Sequence, residues 1–315
     1  LSTIKDVARL AGVGVGTVSR VLNGGKNVRK DTMDRVLECA RILNYRVSKS
    51  ARDLARKGFS TETIGITLPI AVHPFYLEVL KGAYAYLNEQ GYNLLIFNIG
   101  HKTDEVFHRI VDEILAGVIA VSRPIPDEYK RLFEIAGTSY ICLDYFSENG
   151  KCLYIDNRYG GKLAARFLIE RGARNIAYIG ESVYSQQQDE RIAGFQEELF
   201  ANGISIKCEK YISMDEQEAF NITMDIIGKF DIDGVFYFCD ELAYGGLRAR
   251  TESGKRFDII GYDDRDASQY LGLSTIRQPA FEIGFDGAKK IDGFIKNGNQ
   301  GLSPTPYLPK LIIRD

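Results

Sequence analysis

The sequence predicts two architectures in series: a small all-α helix-turn-helix module, then an α/β body of two doubly wound parallel sheets. Three observations carry that prediction. Residues 1–60 hold 13 Lys/Arg against 5 Asp/Glu, a balance of +8, while the rest of the 315-residue chain holds 27 against 37, a balance of −10. The formal net charge of −2 therefore hides a basic module on an acidic body. Apolar residues of the first 45 positions recur at helical spacing between glycines. From residue 64 onward, short apolar runs alternate with amphipathic stretches, the pattern of strands paired in parallel through helical crossovers.

Thr3 is placed to cap a helix beginning at Ile4, with Asp6 three residues later echoing a capping box. Ile4, Val7, Ala8 and Ala11 then share one face, and Gly12 supplies a turn. A second helix runs from about Gly14 to Leu22, burying Val18, Val21 and Leu22, and ends at Asn23-Gly24-Gly25. A third runs from about Asp31 to Leu43 and buries Met33, Val36, Leu37, Ala40 and Leu43. Three short helices with a tight turn between the first two make a helix-turn-helix unit. Its second helix leaves Val15, Gly16, Thr17, Ser19, Arg20 and Asn23 outward, short side chains plus one arginine that suit base edges and phosphates in a major groove. The local charge favours nucleic acid over a merely solvated face. An anionic membrane would call for an amphipathic helix rich in Trp, Phe and Leu, whereas Phe59 is the only Phe in this segment and the chain has no Trp. Gly12-Val13-Gly14-Val15-Gly16 imitates a dinucleotide fingerprint, but a helix rather than a strand precedes it, which excludes that cofactor.

In the body, strands are expected at Ile64–Leu68, Leu94–Asn98, Gly117–Val121, Tyr140–Tyr145, Ile176–Ile179, Gly234–Phe238 and Asp258–Gly261. Helices are expected at Phe75–Gln90, Asp104–Leu115, Asp127–Ala136, Tyr159–Arg171, Glu190–Asn202, Glu216–Lys229, Leu242–Ser253 and Phe281–Lys296. Five such units precede residue 156 and four follow it, giving two subdomains with a ligand crevice at the strand carboxyl ends. No strand leads into a phosphate-cradling loop: Gly160-Gly161-Lys162 lacks both the glycine four residues upstream and the trailing Ser/Thr of a P-loop. A nucleophile elbow is absent too, and the acidic pairs Asp240-Glu241 and Asp263-Asp264 read as solvated loop carboxylates, so catalysis is not expected. Five cysteines without a C-x-x-C spacing read as buried reduced thiols, and three histidines form no ligand pair; neither a metal nor a cofactor is implied. No apolar run approaches a membrane span and the start does not resemble a signal peptide, so a soluble, cytoplasmic protein is the expectation.

Thr3-Ile4-Lys5-Asp6-Val7-Ala8, Ala11-Gly12-Val13 and Thr17-Val18-Ser19-Arg20-Val21-Leu22-Asn23 resemble the headpiece of the LacI/GalR family of bacterial transcription regulators, as do Leu43-Asn44-Tyr45 and Ala51-Arg52-x-Leu54. The resemblance implies a headpiece over 1–46 and a hinge over 47–60 whose ten-residue helix, marginal alone in water, orders on operator DNA. Thr3, Ser48 and Arg52 would then join the DNA contacts, and Leu54 would be the apolar wedge in the minor groove. The body resembles the periplasmic-binding-protein-like core of the same family, through Ile64-Gly65-Ile66, His73-Pro74-Phe75-Tyr76, Asp156-Asn157, Arg191-Ile192-Ala193-Gly194-Phe195, Asp240, Gly261-Tyr262-Asp263-Asp264 and Ser274-Thr275-Ile276-Arg277-Gln278-Pro279. It implies an N-subdomain of 61–155 with 280–303 and a C-subdomain of 156–279 with 304–315. Phe75 and Tyr76 would stack on the effector while Arg191 and Asp263 bind its hydroxyls; Tyr145, Cys239, Asp240 and Gln278 complete the candidate set, with Tyr184 a further stacking residue.

Aromatic faces with charged hydroxyl-binding groups suit a sugar. A purine, another metabolite or a partner protein as co-effector, and a sugar-binding protein without gene regulation, are the alternatives. This sequence departs from the family at Gly14, usually Ser or Thr, at Gly16, often Ala or Gln, and at Val47-Ser48, usually Pro-Asn. Cys239 stands where Asn is common, and Met214 near a frequent aromatic. Two glycines in the second helix would weaken it by about 1 kcal/mol each and leave base readout to Val15, Thr17 and Arg20. The resemblance implies a homodimeric repressor reading a pseudo-palindromic operator, with effector closure changing the spacing of the hinges. No leucine heptad trails the final strand expected at Leu308–Arg314, so a tethered tetramer is not implied.

Overall fold

The capping box read from Thr3 and Asp6 is formed: the Thr3 amide donates to the Asp6 carboxylate at 2.9 Å, and the Asp6 amide returns a longer bond to Thr3 Oγ1. It opens α1 (Ile4–Ala11) in the computed structural model, which describes residues 2–22, 28–43, 45, 62–69, 73–100, 103–148, 150–298 and 302–314. Gly12 closes α1 with φ +65°, a left-handed conformation that favours glycine. The next helix, α2 (Val15–Leu22), starts one residue later than expected: Gly14 lies before it and its carbonyl accepts from Thr17 and Val18 at 2.9 and 3.2 Å. Only Gly16 is inside, so one glycine rather than two weakens this helix. With α3 (Lys30–Ile42), the three helices bury Val7, Ala8, Ala11, Val18, Val21, Leu22, Val36, Leu37 and Ala40 against one another, while Ile4, Met33 and Leu43 pack at the margin.

The body follows as β1 (Thr63–Leu68), α4 (Pro74–Glu89), β2 (Asn93–Asn98), α5 (Thr103–Asp112), β3 (Gly117–Val121), α6 (Asp127–Ala136), β4 (Ser139–Leu143) and β5 (Cys152–Ile155). It continues with α7 (Asn157–Glu170), β6 (Ile176–Glu181), α8 (Gln186–Ala201), β7 (Ile206–Ile212), α9 (Glu216–Lys229), β8 (Gly234–Tyr237) and α10 (Asp240–Ser253). Then come β9 (Asp258–Asp263), α11 (Asp266–Tyr270), β10 (Thr275–Arg277), α12 (Ala280–Asn297), β11 (Thr305–Tyr307) and β12 (Lys310–Ile312). Two sheets result, ordered β11-β5-β4-β3-β1-β2 and β12-β10-β9-β8-β6-β7. The strands from β1 to β10 pair in parallel, as in Ile64 beside Leu94 and Gly117, while β12 runs antiparallel to β10. The chain divides into two compact units, Leu1–Leu153 with Ala280–Thr305 and Tyr154–Pro279 with Pro306–Asp315.

Local chemistry explains the helix starts. Pro74 occupies the first turn of α4, and Asp156, Ser185 and Asp215 cap α7, α8 and α9 by accepting amides three residues on. Ser185 is why α8 begins at Gln186 instead of the expected Glu190. The strands β5, β7 and β10 were not among the expected elements: β5 and β10 are four and three residues long, and β7 lies at a sheet edge with most side chains in solvent. Two helix pairs approach unusually closely. A Cβ on Gly82 would strike the Phe281 carbonyl and one on Gly284 the Val79 carbonyl, which seats α4 on α12; Gly161 and Gly194 do the same for α7 on α8, against Arg191 and Arg158.

All five cysteines are free thiols, and only Cys208 is not buried. Among the described residues no helix is long and apolar enough to cross a membrane, and no group of three His, Cys, Asp or Glu could hold a metal ion.

Candidate functional site

On the helix-turn-helix, α2 presents Val15, Gly16 and Arg20 to solvent, with Thr17 and Ser19 half-buried. Arg20 has no carboxylate within 4.0 Å among the described residues, so its guanidinium is available to an external anion. Thr3 is exposed, but its hydroxyl donates to Asp6 Oδ2 at 2.7 Å and belongs to the cap. Asn23, Ser48, Arg52 and Leu54 lie outside the described residues.

In the second unit the candidates converge where β8, β9 and β10 end. Gly161 and Gly194 let α8 lie on α7, and that close crossing carries Arg191 into the interior, where it is 4% exposed. Its Nε donates to Asn157 Oδ1 at 2.8 Å, one terminal nitrogen to the Phe238 carbonyl at 3.0 Å and the other to Gln278 Oε1 at 3.2 Å. The guanidinium also lies 3.7 Å from the centre of the Tyr262 ring. Three of five N–H groups are thus engaged and two remain for a ligand. Gln278 passes the contact on, its Nε2 donating to Asp263 Oδ1 at 2.6 Å. Asp263 has φ +119° and Asp264 +59°, a strained turn that aims the first carboxylate inward. Asp264 pins the turn by accepting from Arg277 and Arg314, both at 2.5 Å.

Asp240 is fully buried and all its contacts are internal: Oδ1 accepts from Thr275 Oγ1 at 2.6 Å, and Oδ2 from Ser268 Oγ at 2.6 Å and the Arg265 amide at 2.8 Å. Burial and the negative charge of Asp263 push its pKa up to about 7. Burial likewise raises Asp263, to about 6, against the pull of Arg191 and the Gln278 hydrogen bond. Cys239, which precedes α10, is buried with its sulfur 3.7 Å from that of Met214, and burial holds the thiol protonated. The acidic pairs are therefore not solvated, as their loop positions suggested: Asp240 and Asp264 are enclosed, and Glu241 pairs with Arg265 at 2.8 Å.

The first unit places aromatic candidates at its own strand carboxyl ends. Phe75 is mostly buried at the start of α4 and meets Tyr76 edge-on at 5.3 Å; Tyr76 is half-buried. Tyr145, half-buried beyond β4, packs on the apolar cluster of this unit. Beside it Ser122 donates to Asp144 at 2.6 Å, and both hold left-handed backbone with φ +54° and +52°. Asn157, Tyr262, Ser268 and Thr275 hold the charged groups, and Ser122 and Asp144 form a strained polar pair; none was singled out as a candidate from the sequence. The available signal was a polar residue directly after an apolar strand, which Asp144 shows, and, for Asn157, a place in the first turn of the helix after one.

Two family descriptions match the chain: bacterial regulatory proteins of the lacI family over residues 3–48, and a periplasmic binding protein-like domain over 165–315. The ribose operon repressor of Bacillus subtilis (strain 168) is 32% identical over 308 residues, covering 94% of this chain and 92% of the relative. The HTH-type transcriptional repressor PurR of Vibrio vulnificus (strain CMCP6) is 28% identical over 330 residues, covering 100% and 98%. Among solved structures, a LacI family transcriptional regulator from Enterococcus faecium with bound ribose superimposes with a TM-score of 0.71 at 26% identity, covering 80% of this chain and 97% of that one.

Proposed function

This chain belongs to the lacI family of bacterial regulatory proteins, and from that premise we propose a homodimeric repressor whose hold on a pseudo-palindromic operator is set by a sugar, with ribose the leading candidate. Operator reading falls to the exposed face of α2, chiefly Val15, Thr17 and Arg20, together with Thr3, Asn23 and the hinge residues Ser48, Arg52 and Leu54. The protein acts in the cytoplasm and is not an enzyme.

The observation that carries the effector reading is the buried chain Arg191–Gln278–Asp263 at the ends of β8 to β10. It couples a donor with two unused N–H groups to an acceptor carboxylate through one amide. Vicinal hydroxyls need that combination, because each both donates and accepts. Phe75, Tyr76 and Tyr145 keep their expected role as stacking candidates for the C–H faces of a sugar. Asp240 acts beneath Asp263 as a positioning residue, and Cys239 closes the floor. Ribose is favoured over other sugars by the ribose operon repressor and by the ribose-bound regulator of similar fold.

Two measurements test this. Promoter DNA should be retarded by the protein in a gel, steeply less so at 200 mM than at 50 mM salt, since phosphate contacts dominate. In a thermal-shift screen of sugars and nucleobases, ribose at 100 times its dissociation constant should add about 2.7 kcal/mol of stability. Arg191→Ala should lose that shift and keep DNA retardation. A nucleobase that raises the melting temperature where no sugar does would overturn the effector class.

A further inference from the structure

At the opposite ends of the same strands, the second unit carries a surface depression of about 530 Å³ that the effector reading does not use. Its wall is made by the C-terminal end of α7, the turns entering β8 and β9, and the last turn of α10 with the segment after it. Gly234 and Asp258 begin β8 and β9 here, whereas Asp263 ends β9 roughly 16 Å away at ~3.3 Å per residue. Four cations line it: Arg171, Arg250, Lys255 and Arg256.

The two carboxylates in the lining are already occupied. Asp233 accepts the Arg174 amide at 2.9 and 3.0 Å and the Asn175 amide at 2.8 Å. Asp258 accepts from Arg171 Nε at 2.7 Å. Arg250, Lys255 and Arg256 are left with no carboxylate within 4.0 Å among the described residues. Arg250 makes only a long 3.5 Å bond to the Phe257 carbonyl, and Lys255 reaches the Ile227 carbonyl. Elsewhere on this unit Arg158 pairs with Glu197, Arg166 with Glu198, Arg248 with Glu252 and Arg265 with Glu241, while the exposed Arg174 bonds the Ala173 carbonyl. Complementing the carbonyl end of α10 accounts for Arg250, in its last turn. Lys255 and Arg256 lie beyond the Gly254 cap, and the helix does not explain why they gather in a recess of an acidic body.

We propose that this recess is an anion site, distinct from the sugar site, that takes a small phosphorylated metabolite or an inorganic oligophosphate. Guanidinium forks match phosphate oxygens in pairs and an ammonium adds a point charge, while a neutral sugar would leave three cations uncompensated. The volume lies within the range of metabolite pockets.

Calorimetric titration of the full chain tests it, with inorganic pyrophosphate in one arm and ribose 5-phosphate in another, each against sodium chloride of equal ionic strength. At least one phosphate compound should bind at a 1:1 ratio per chain, and Lys255→Ala/Arg256→Ala should weaken it at least tenfold. Pyrophosphate alone binding identifies an inorganic ligand; ribose 5-phosphate binding that survives excess ribose identifies a phosphorylated metabolite at this pole. Binding of equal strength in the double variant would place the anion elsewhere, for instance on the basic headpiece, and overturn the proposal, as would heats no larger than those of sodium chloride. Should the double variant melt early, Arg256→Gln serves in its place, since Arg256 is exposed and is not used in any ion pair among the described residues.

Discussion

Raising the pH from 5 to 7 is expected to destabilise this protein by roughly 2 kcal/mol, and Asp240→Asn to remove most of that loss. Asp240 is fully buried among three donors, Thr275, Ser268 and the Arg265 amide, and among the described residues no cation pairs with it. Its pKa rises from 3.8 to about 7. In the unfolded chain the same carboxyl ionises near 3.9, so between those values the native state holds a proton that the unfolded state has lost. Stability is then fully present below about pH 4 and falls as pH climbs through 7, by at most ~1.4 kcal/mol per pH unit for one proton. Asp263, raised to about 6, adds to the fall at the lower end of the window. Asp6, Asp127 and Asp292 are shifted downward, so their contribution is lost only as pH drops below the ordinary carboxylate range and leaves this window untouched. Asparagine keeps an oxygen for the Arg265 amide and turns an amide toward a hydroxyl that can accept. Urea unfolding at pH 5, 6 and 7 and one protein concentration should show the midpoint falling in the wild type with an unchanged slope, and a much flatter trend in the variant. A wild type as stable at pH 7 as at pH 5, or an Asn variant with the full pH trend, would refute the reasoning.

Three further substitutions probe the remaining architecture. Gly16→Ala places a methyl in open space inside α2 and should stabilise the headpiece by about 0.5–1 kcal/mol, read by thermal melting followed by circular dichroism; a lower melting temperature counts against the helix assignment. Gly161→Ala drives a Cβ into the Arg191 carbonyl, so the α7–α8 crossing must open at a cost of about 1–3 kcal/mol, with a loss of the ribose-induced thermal shift; wild-type values for both would mean that the crossing does not position Arg191. Asn157→Ala leaves the buried Arg191 Nε without its acceptor and should cost about 1–3 kcal/mol in urea denaturation; a change within error would show that another group satisfies it.

The helices and long strands were legible in the sequence because each announces itself locally. Thr3 with Asp6, Pro74, and Gly137 after α6 are signals a single turn can carry, and continuous apolar runs such as Gly117–Val121 can only be central strands. What was missed depends on neighbours distant in the chain. The segment Ile206–Ile212 alternates and is half solvated, so it becomes a strand only because β6 offers it an edge. The same holds within the site. Arg191, Asp263 and Gln278 could be named, yet that the Gln278 amide joins the other two, and that the Tyr262 ring lies beneath Arg191, follows only from the sheet that brings them near. Asp240 and Asp264 looked like surface charges in loops. Their burial follows from Thr275, Ser268, Arg277 and Arg314, between 13 and 50 residues away along the chain.

On the two proposals above, the poles of the second unit would select opposite kinds of ligand, and the reason is charge. At the carboxyl ends of the strands one guanidinium faces two carboxyl groups that resist ionisation, since burial raises both and the charge of Asp263 raises Asp240 further. Burial holds the Asp240 proton to higher pH than in a free carboxyl, so the excess negative charge beside Arg191 is small, and an anionic ligand taking the unused N–H groups of Arg191 would still have to approach Asp263. Uncharged hydroxyls face no such penalty. At the amino ends the balance is reversed: Asp233 and Asp258 are held by backbone amides and by Arg171, and three cations stand without a carboxylate among the described residues. If charge makes this division, Asp263→Asn should weaken ribose binding and leave pyrophosphate binding at the other pole unchanged, while Lys255→Ala/Arg256→Ala should do the converse. A variant that weakens both ligands equally would show that the poles are one cooperative unit and that local charge does not sort their ligands.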